Sequence, residues 1–252
     1  RHFMDKEIHE QPEVIGYTLS AFYDPNSNYM KMPKVAFNPG LLPKLTIVAA
    51  GTSYYAGMIA KYWLESLARL PVEVDIASEF RYRNSVLPDG GAALFISQSG
   101  ESLDTLMALR HAREKGQHII SLINVGESTI ARESDVVLKT LAGPEISVAS
   151  TKAYTTQLAA LPCLSVDWAQ KRNFLDKKKA FEIMDELSRL PTALAEILAD
   201  KERWNACAHE LAGARDVIYL GRGLNFPTAL EGVLKLKELS YIHAEGYAAG
   251  EM

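Results

Sequence analysis

The sequence predicts an α/β fold built on a parallel sheet covered by helices on both faces. Two observations predict it. From residue 45 onward, short apolar runs alternate with segments of helical period. Most of these runs, 92–96 above all, are continuously apolar rather than alternately apolar and polar, the mark of strands buried on both faces.

The elements follow in order. Residues 5–12 are charged and read as a lead-in. A helix begins at Pro12 or Glu13 and reaches Phe22, with Val14, Ile15 and Leu19 on one face. The stretch 24–43 holds four of the eleven prolines and reads as a connector. Strands follow at 45–49, 72–76, 92–96, 119–123 and 136–139. Helical period covers 56–67, 103–115 and 151–171. Residues 173–212 are rich in Leu, Ala, Glu and Lys at helical spacing, and Pro191 divides them into two helices packing between domains. A strand at 216–220, a turn at 221–223 and a helix at 227–239 complete the pattern. Gly51 and Gly221 mark similar strand–glycine–helix corners 170 residues apart. Two related units, or the chance recurrence of a common corner, both account for that.

Composition narrows the function. The 252 residues are 48% hydrophobic and 23% charged, an ordinary globular balance. Such a chain buries about 70–75% of its unfolded surface and needs no disulfide or metal staple. A net charge of −4 argues against a nucleic-acid partner. Cys163 and Cys207 stand alone, which suits a reducing cytoplasm. No apolar run approaches the roughly 20 residues of a membrane span. The chain starts at Arg1 and stops at Met252 with no tail, which predicts a fragment.

Four places carry chemistry. Ser97-Gln98-Ser99-Gly100-Glu101-Ser102 links a strand end to a helix start. There, free backbone N–H groups and the helix dipole favour an anion, and three hydroxyls and an amide add donors suited to a phosphate monoester. A serine N-cap is the simpler alternative; the number of hydroxyls favours the phosphate. Gly51-Thr52-Ser53 holds the same kind of corner and serves a ligand hydroxyl or a cap. It matches neither a Walker A loop nor GxGxxG, so a dinucleotide is not expected. Lys152 opens a helix where a cation opposes the dipole, which implies an anionic partner, an ion pair or a plain surface lysine. Glu231, Lys235 and Glu238 stand at i, i+4, i+7 on one helical face. A carboxylate beside an ammonium can move a proton between adjacent sugar carbons while the lysine steadies the enediolate oxygen. A solvated face with a salt bridge has the same spacing. His243 follows this helix and would serve ring opening or nothing.

Together the motifs resemble the isomerase half of the glutamine–fructose-6-phosphate aminotransferase family, the glucosamine-6-phosphate synthases. The resemblance is carried by Lys6-Glu7-Ile8-His9-Glu10-Gln11-Pro12, Gly51-Thr52-Ser53-Tyr54, Ala77-Ser78-Glu79-Phe80-Arg81-Tyr82 and the serine loop. It continues through Arg132-Glu133-Ser134-Asp135, the segment 148–157, Leu220-Gly221-Arg222-Gly223, the helix 229–238 and Tyr241-Ile242-His243-Ala244-Glu245. It implies flavodoxin-like αβα sandwiches of the sugar-isomerase (SIS) type. Residues 1–43 would form a junction helix and connector, 44–171 a first SIS domain, 172–213 connecting helices and 214–252 the incomplete start of a second.

The resemblance also implies ligands and roles. Fructose 6-phosphate, glucosamine 6-phosphate or glucose 6-phosphate would bind, with no cofactor and no metal. Ser97, Gln98, Ser99 and Ser102 match the phosphate loop, Ser102 standing where a threonine is usual. Thr52, Ser53, Val148 and Ser150 match the sugar contacts. Glu238 matches the residue that carries the proton between C1 and C2, Lys235 the lysine near the sugar oxygens, and Glu231 its neighbour in that catalytic network. A cytoplasmic homodimer joined to a glutaminase domain is implied for the intact enzyme of amino-sugar biosynthesis. The family's ring-opening histidine and imine-forming lysine would lie beyond Met252, so this chain alone is expected to be weakly active or inactive. The other functions in view are a phosphosugar-sensing SIS module, which has no need of the 231–238 face, and a stand-alone isomerase or deaminase, which usually lacks the 6–12 segment.

Overall fold

A computed structural model describes residues 2–252. The chain opens with helix α1 (Phe3–Phe22) and a short hairpin of β1 (Tyr23–Asp24) and β2 (Tyr29–Met30). After a 3-10 turn at Pro39–Leu41 come β3 (Leu45–Ala49), α2 (Gly51–Ala68), β4 (Val72–Ile76), α3 (Ala77–Phe80), β5 (Ala92–Ser97) and α4 (Leu103–Glu114). Then follow β6 (His118–Ile123), α5 (Thr129–Arg132), β7 (Val136–Lys139) and α6 (Lys152–Lys171). Helices α7 (Lys177–Ser188), α8 (Leu190–Ala199) and α9 (Lys201–Leu211) lead to β8 (Asp216–Gly221), α10 (Asn225–Ser240) and β9 (His243–Ala248).

The main sheet is wholly parallel, in the order β4-β3-β5-β6-β7. Counted from β3 this is the 2-1-3-4-5 order of flavodoxin-like folds. The pleat divides each apolar strand between two cores. Leu45, Ile47, Leu94, Ile96 and Leu122 pack with α1, α2 and α6 on one face. Val48, Ala93, Phe95, Ile119 and Ile123 pack with α3, α4 and α5 on the other. The three layers confirm the predicted sandwich. β8 and β9 form a separate parallel pair, with α10 packed on both strands and on α2. Among the described residues no helix is long and apolar enough to cross a membrane.

Three expectations need correction. The first helix does not begin at Pro12 but runs from Phe3, with Pro12 inside it. Proline cannot donate to the carbonyl four residues back. The Gln11 side-chain amide donates to that Ile8 carbonyl instead, at 2.9 Å, so the helix continues. Residues 173–212 hold three helices rather than two, because Pro191 sits in the first turn of α8, where proline starts a helix, and Asp200 caps α9. Finally, 243–248 is a strand, β9, that the sequence reading omits; its half-exposed, glycine-containing run lacks the apolar signature of the others.

Candidate active site

In this strand order the connections leave β3 and β5 in opposite directions, opening a crevice at their carboxyl ends, where ligands bind in open α/β sheets. Two of the predicted loops sit there. β3 leads through Ala50 to Gly51, whose φ of +54° starts α2 in the left-handed region. β5 ends in the serine loop, where Gly100 has a φ of +66°. A Cβ on Gly100 would stand 2.0 Å from the Ser128 hydroxyl, so the loop needs glycine both for its turn and for its approach to α5.

The serine loop is braced from within. Ser97 Oγ accepts the N–H of Gly100 at 3.1 Å and lies 3.5 Å from Ser102 Oγ. Ser99 Oγ accepts the N–H of Glu101 at 3.2 Å. Glu101 accepts the N–H of Thr129 at 2.7 Å, a bond that holds its carboxyl below the ordinary range. Ser102 occupies the N-cap of α4, yet its side chain makes no capping bond. The capping alternative therefore does not explain the serines.

Thr52 and Ser53 do not cap α2 either. Thr52 donates to Glu231 Oε1 at 3.1 Å, and Ser53 Oγ accepts from the Gln157 side chain at 3.0 Å. These bonds tie α2 to α10 and α6. A cavity of about 290 Å³ opens between the loops, lined by Thr52, Ser53, Ser97, Gln98, Ser99, Ser102, Val148, Ser150, Lys235 and Glu238. Ten of the predicted site residues thus meet in one place. The eleventh, Glu231, lies directly behind, bonded to Thr52.

On α10, Lys235 Nζ is 2.7 Å from Glu238 Oε2 and 3.5 Å from Glu231 Oε1. The solvated-face alternative fails for Glu231, which is 5% exposed. Burial pushes its carboxyl up to about 7, against the opposing pull of Lys235 and Thr52. Its Oε2 has no hydrogen-bond partner, and the buried Tyr154 hydroxyl and Gln157 Oε1 are likewise unpaired. Burial, followed by the nearby Glu231 charge, raises the Tyr154 phenol well above its ordinary value. Helix α10 thus presents one protonatable carboxyl near neutrality and one ammonium–carboxylate pair at the cavity wall.

Other sequence-selected groups fall elsewhere. Lys152 is 4% exposed and forms its ion pair with Glu10 at 2.7 Å, so it has no need of an anionic ligand. His243 lies on β9, 3.3 Å from Glu245, outside the cavity. Glu145 and Ser147 line the cavity without having been foreseen. They stand in a segment with no helix or strand, where no periodicity marks a buried face.

Comparison with known proteins agrees with the geometry. The SIS domain model matches residues 43–166. The chain is 53% identical over its whole length to a glutamine–fructose-6-phosphate aminotransferase [isomerizing] of Gluconobacter oxydans and covers 41% of it. It is 50% identical to the enzyme of that name from Brucella abortus, covering 42%. The chain therefore spans about two-fifths of the length of these curated relatives. Among solved structures, it resembles the C-terminal domain of glucosamine–fructose-6-phosphate aminotransferase from Francisella tularensis, with 41% identity, a TM-score of 0.93, all of this chain and 71% of that one covered. A glucosamine-6-phosphate deaminase from Thermotoga maritima shares the fold at 20% identity and a TM-score of 0.75, with 99% of this chain and 71% of that one covered.

Proposed function

Because the chain belongs with the C-terminal domains of glucosamine–fructose-6-phosphate aminotransferases and carries an SIS domain, we propose that its cavity binds fructose 6-phosphate and supports its conversion to glucosamine 6-phosphate. One observation carries this reading: the serine loop and the Lys235–Glu238 pair line the same cavity. Ser97, Gln98, Ser99 and Ser102 hold the phosphate, with the N–H groups at the start of α4. Thr52, Ser53, Val148 and Ser150 face the sugar.

The chemistry is a ketose–aldose shift on an aminated sugar. Ammonia adds to the C2 carbonyl and water leaves, giving an imine. Glu238 then takes a proton from C1 and returns it to C2 while the C1 hydroxyl proton passes to the imine nitrogen, leaving a C1 aldehyde and a C2 amine, and the Lys235 ammonium steadies charge on the sugar oxygen. Glu231 keeps Lys235 placed. The ammonia would come from glutamine on a glutaminase domain, and the working assembly would be a cytoplasmic homodimer; 214–252 would open a second SIS unit after a first at 44–171. Metal and redox cofactors have no part in this scheme.

Replacing Glu238 by Gln tests it. The variant is expected to lose solvent-deuterium exchange at C2 of glucosamine 6-phosphate, followed by proton NMR in the turnover-competent protein that carries this chain, and to bind inorganic phosphate as the wild type does. Exchange that persists would remove Glu238 from the reaction. Failure of the unmodified protein to bind either phosphate or fructose 6-phosphate would remove the reading itself.

A further inference from the structure

The cavity has a third wall, residues 145–151, which contain neither helix nor strand. A wall with no helix or sheet ladder must draw its hydrogen-bond partners from side chains or water. Two carboxylates supply them. Glu145 accepts the N–H groups of Thr151 at 2.8 Å and Ala153 at 3.1 Å, and the Ser150 hydroxyl at 3.0 Å. The second is Glu7 on α1, far away in sequence and only 3% exposed. Its Oε1 accepts the N–H of Ile146 at 2.6 Å and of Ser147 at 3.2 Å. Its Oε2 accepts the same Ser147 N–H at 3.3 Å and also the Ser147 hydroxyl. One turn on, Glu10 pairs with Lys152 at the start of α6. Glu7 itself does not line the cavity, whereas Ser147 does.

We propose that Glu7 is a positioning residue for the sugar-facing wall: it fixes 146–147 from behind and leaves the serine loop alone. The proposal rests on the sugar-phosphate reading above for its functional consequence, though not for its geometry. A carboxylate suits the task because three donors converge on its two oxygens. Glutamine would turn an N–H₂ toward one of those donors, losing the charge-assisted bonds and setting donor against donor.

The test uses this chain with Glu7→Gln, Glu7→Asp and Ser147→Ala. Amide hydrogen exchange is measured without ligand, and calorimetry follows inorganic phosphate and fructose 6-phosphate separately. In Glu7→Gln, exchange at Ile146 and Ser147 should accelerate about tenfold or more, with the serine-loop amides unchanged. Fructose 6-phosphate affinity should fall about tenfold and inorganic phosphate affinity stay within about twofold. Glu7→Asp should recover part of the loss, and Ser147→Ala, which keeps the backbone bonds, should show a smaller change in the same direction. Unchanged exchange at 146–147 would overturn the proposal. So would equal loss of both ligands, which would make Glu7 a general support of the fold. If the unmodified chain binds neither ligand, the sugar reading falls, and the exchange rates still decide whether Glu7 holds the wall.

Discussion

Glu231→Gln isolates the cost of burying a carboxylate where α10 meets α2. Glu231 accepts from Thr52 at 3.1 Å and lies 3.5 Å from Lys235, yet burial outweighs both and pushes its carboxyl from 4.5 to about 7. The folded chain therefore holds a proton that the unfolded chain releases between those two values. The sign follows: the group favours the fold below about pH 4.5, loses that contribution as pH rises toward 7, and changes nothing further above it. The full span corresponds to about 3 kcal/mol. Glutamine keeps the shape and cannot titrate, and Lys235 retains Glu238 at 2.7 Å. Urea unfolding of both proteins from pH 5 to 8 should show the variant gaining about 2–3 kcal/mol over the wild type across the window, since other titrating groups cancel in the difference. A difference independent of pH would refute the argument that the buried carboxyl is protonated near neutrality. A difference of opposite slope would mean that Lys235 dominates burial.

Two further expectations concern backbone and thiols. Gly100→Ala should cost about 1–2 kcal/mol for its left-handed φ and about 1–3 kcal/mol more for the contact with Ser128. It should weaken inorganic phosphate binding, whereas Gly213→Ala, whose Cβ meets open space, should stay within about 0.5 kcal/mol of the wild type in urea unfolding. Iodoacetamide at pH 8 should label Cys207, which is exposed, and spare Cys163, which is buried and whose thiol burial pushes up to about 12. Peptide mapping that finds Cys163 modified in the folded protein would contradict its place on the buried face of α6.

What the sequence disclosed depends on where each residue finds its partners. β3 and β5 were legible because strands covered on both faces are apolar throughout, and the turns after them carry glycine for a stated conformational reason. The serine loop was legible because its donors are consecutive in the chain. β9 was hidden because one of its faces is exposed and Glu245 and Gly246 interrupt it. The first half of α1 was hidden because Lys6, Glu7 and Glu10 look like a solvated surface and Pro12 looks like a start. Only the chain returning 139 residues later, at Ile146, shows what Glu7 is for.

The same reasoning explains why the spacing of Glu231, Lys235 and Glu238 could not choose between a salt-bridged surface and a reacting group. Spacing places side chains on one face of a helix; it does not say what covers that face. The cover here is Thr52, 179 residues earlier in the chain, together with the α2 helix that Gly51 starts. Thr52 thus has two duties, as a wall of the cavity and as a bond to the carboxyl behind it. A ligand hydroxyl that drew on Thr52 would compete for the donor that holds Glu231, and Glu231 in turn stands beside Lys235. The cavity wall and helix α10 are therefore coupled through one hydroxyl, so a Thr52→Ser change, which keeps that hydroxyl, should disturb the site far less than Thr52→Val, which keeps only the shape.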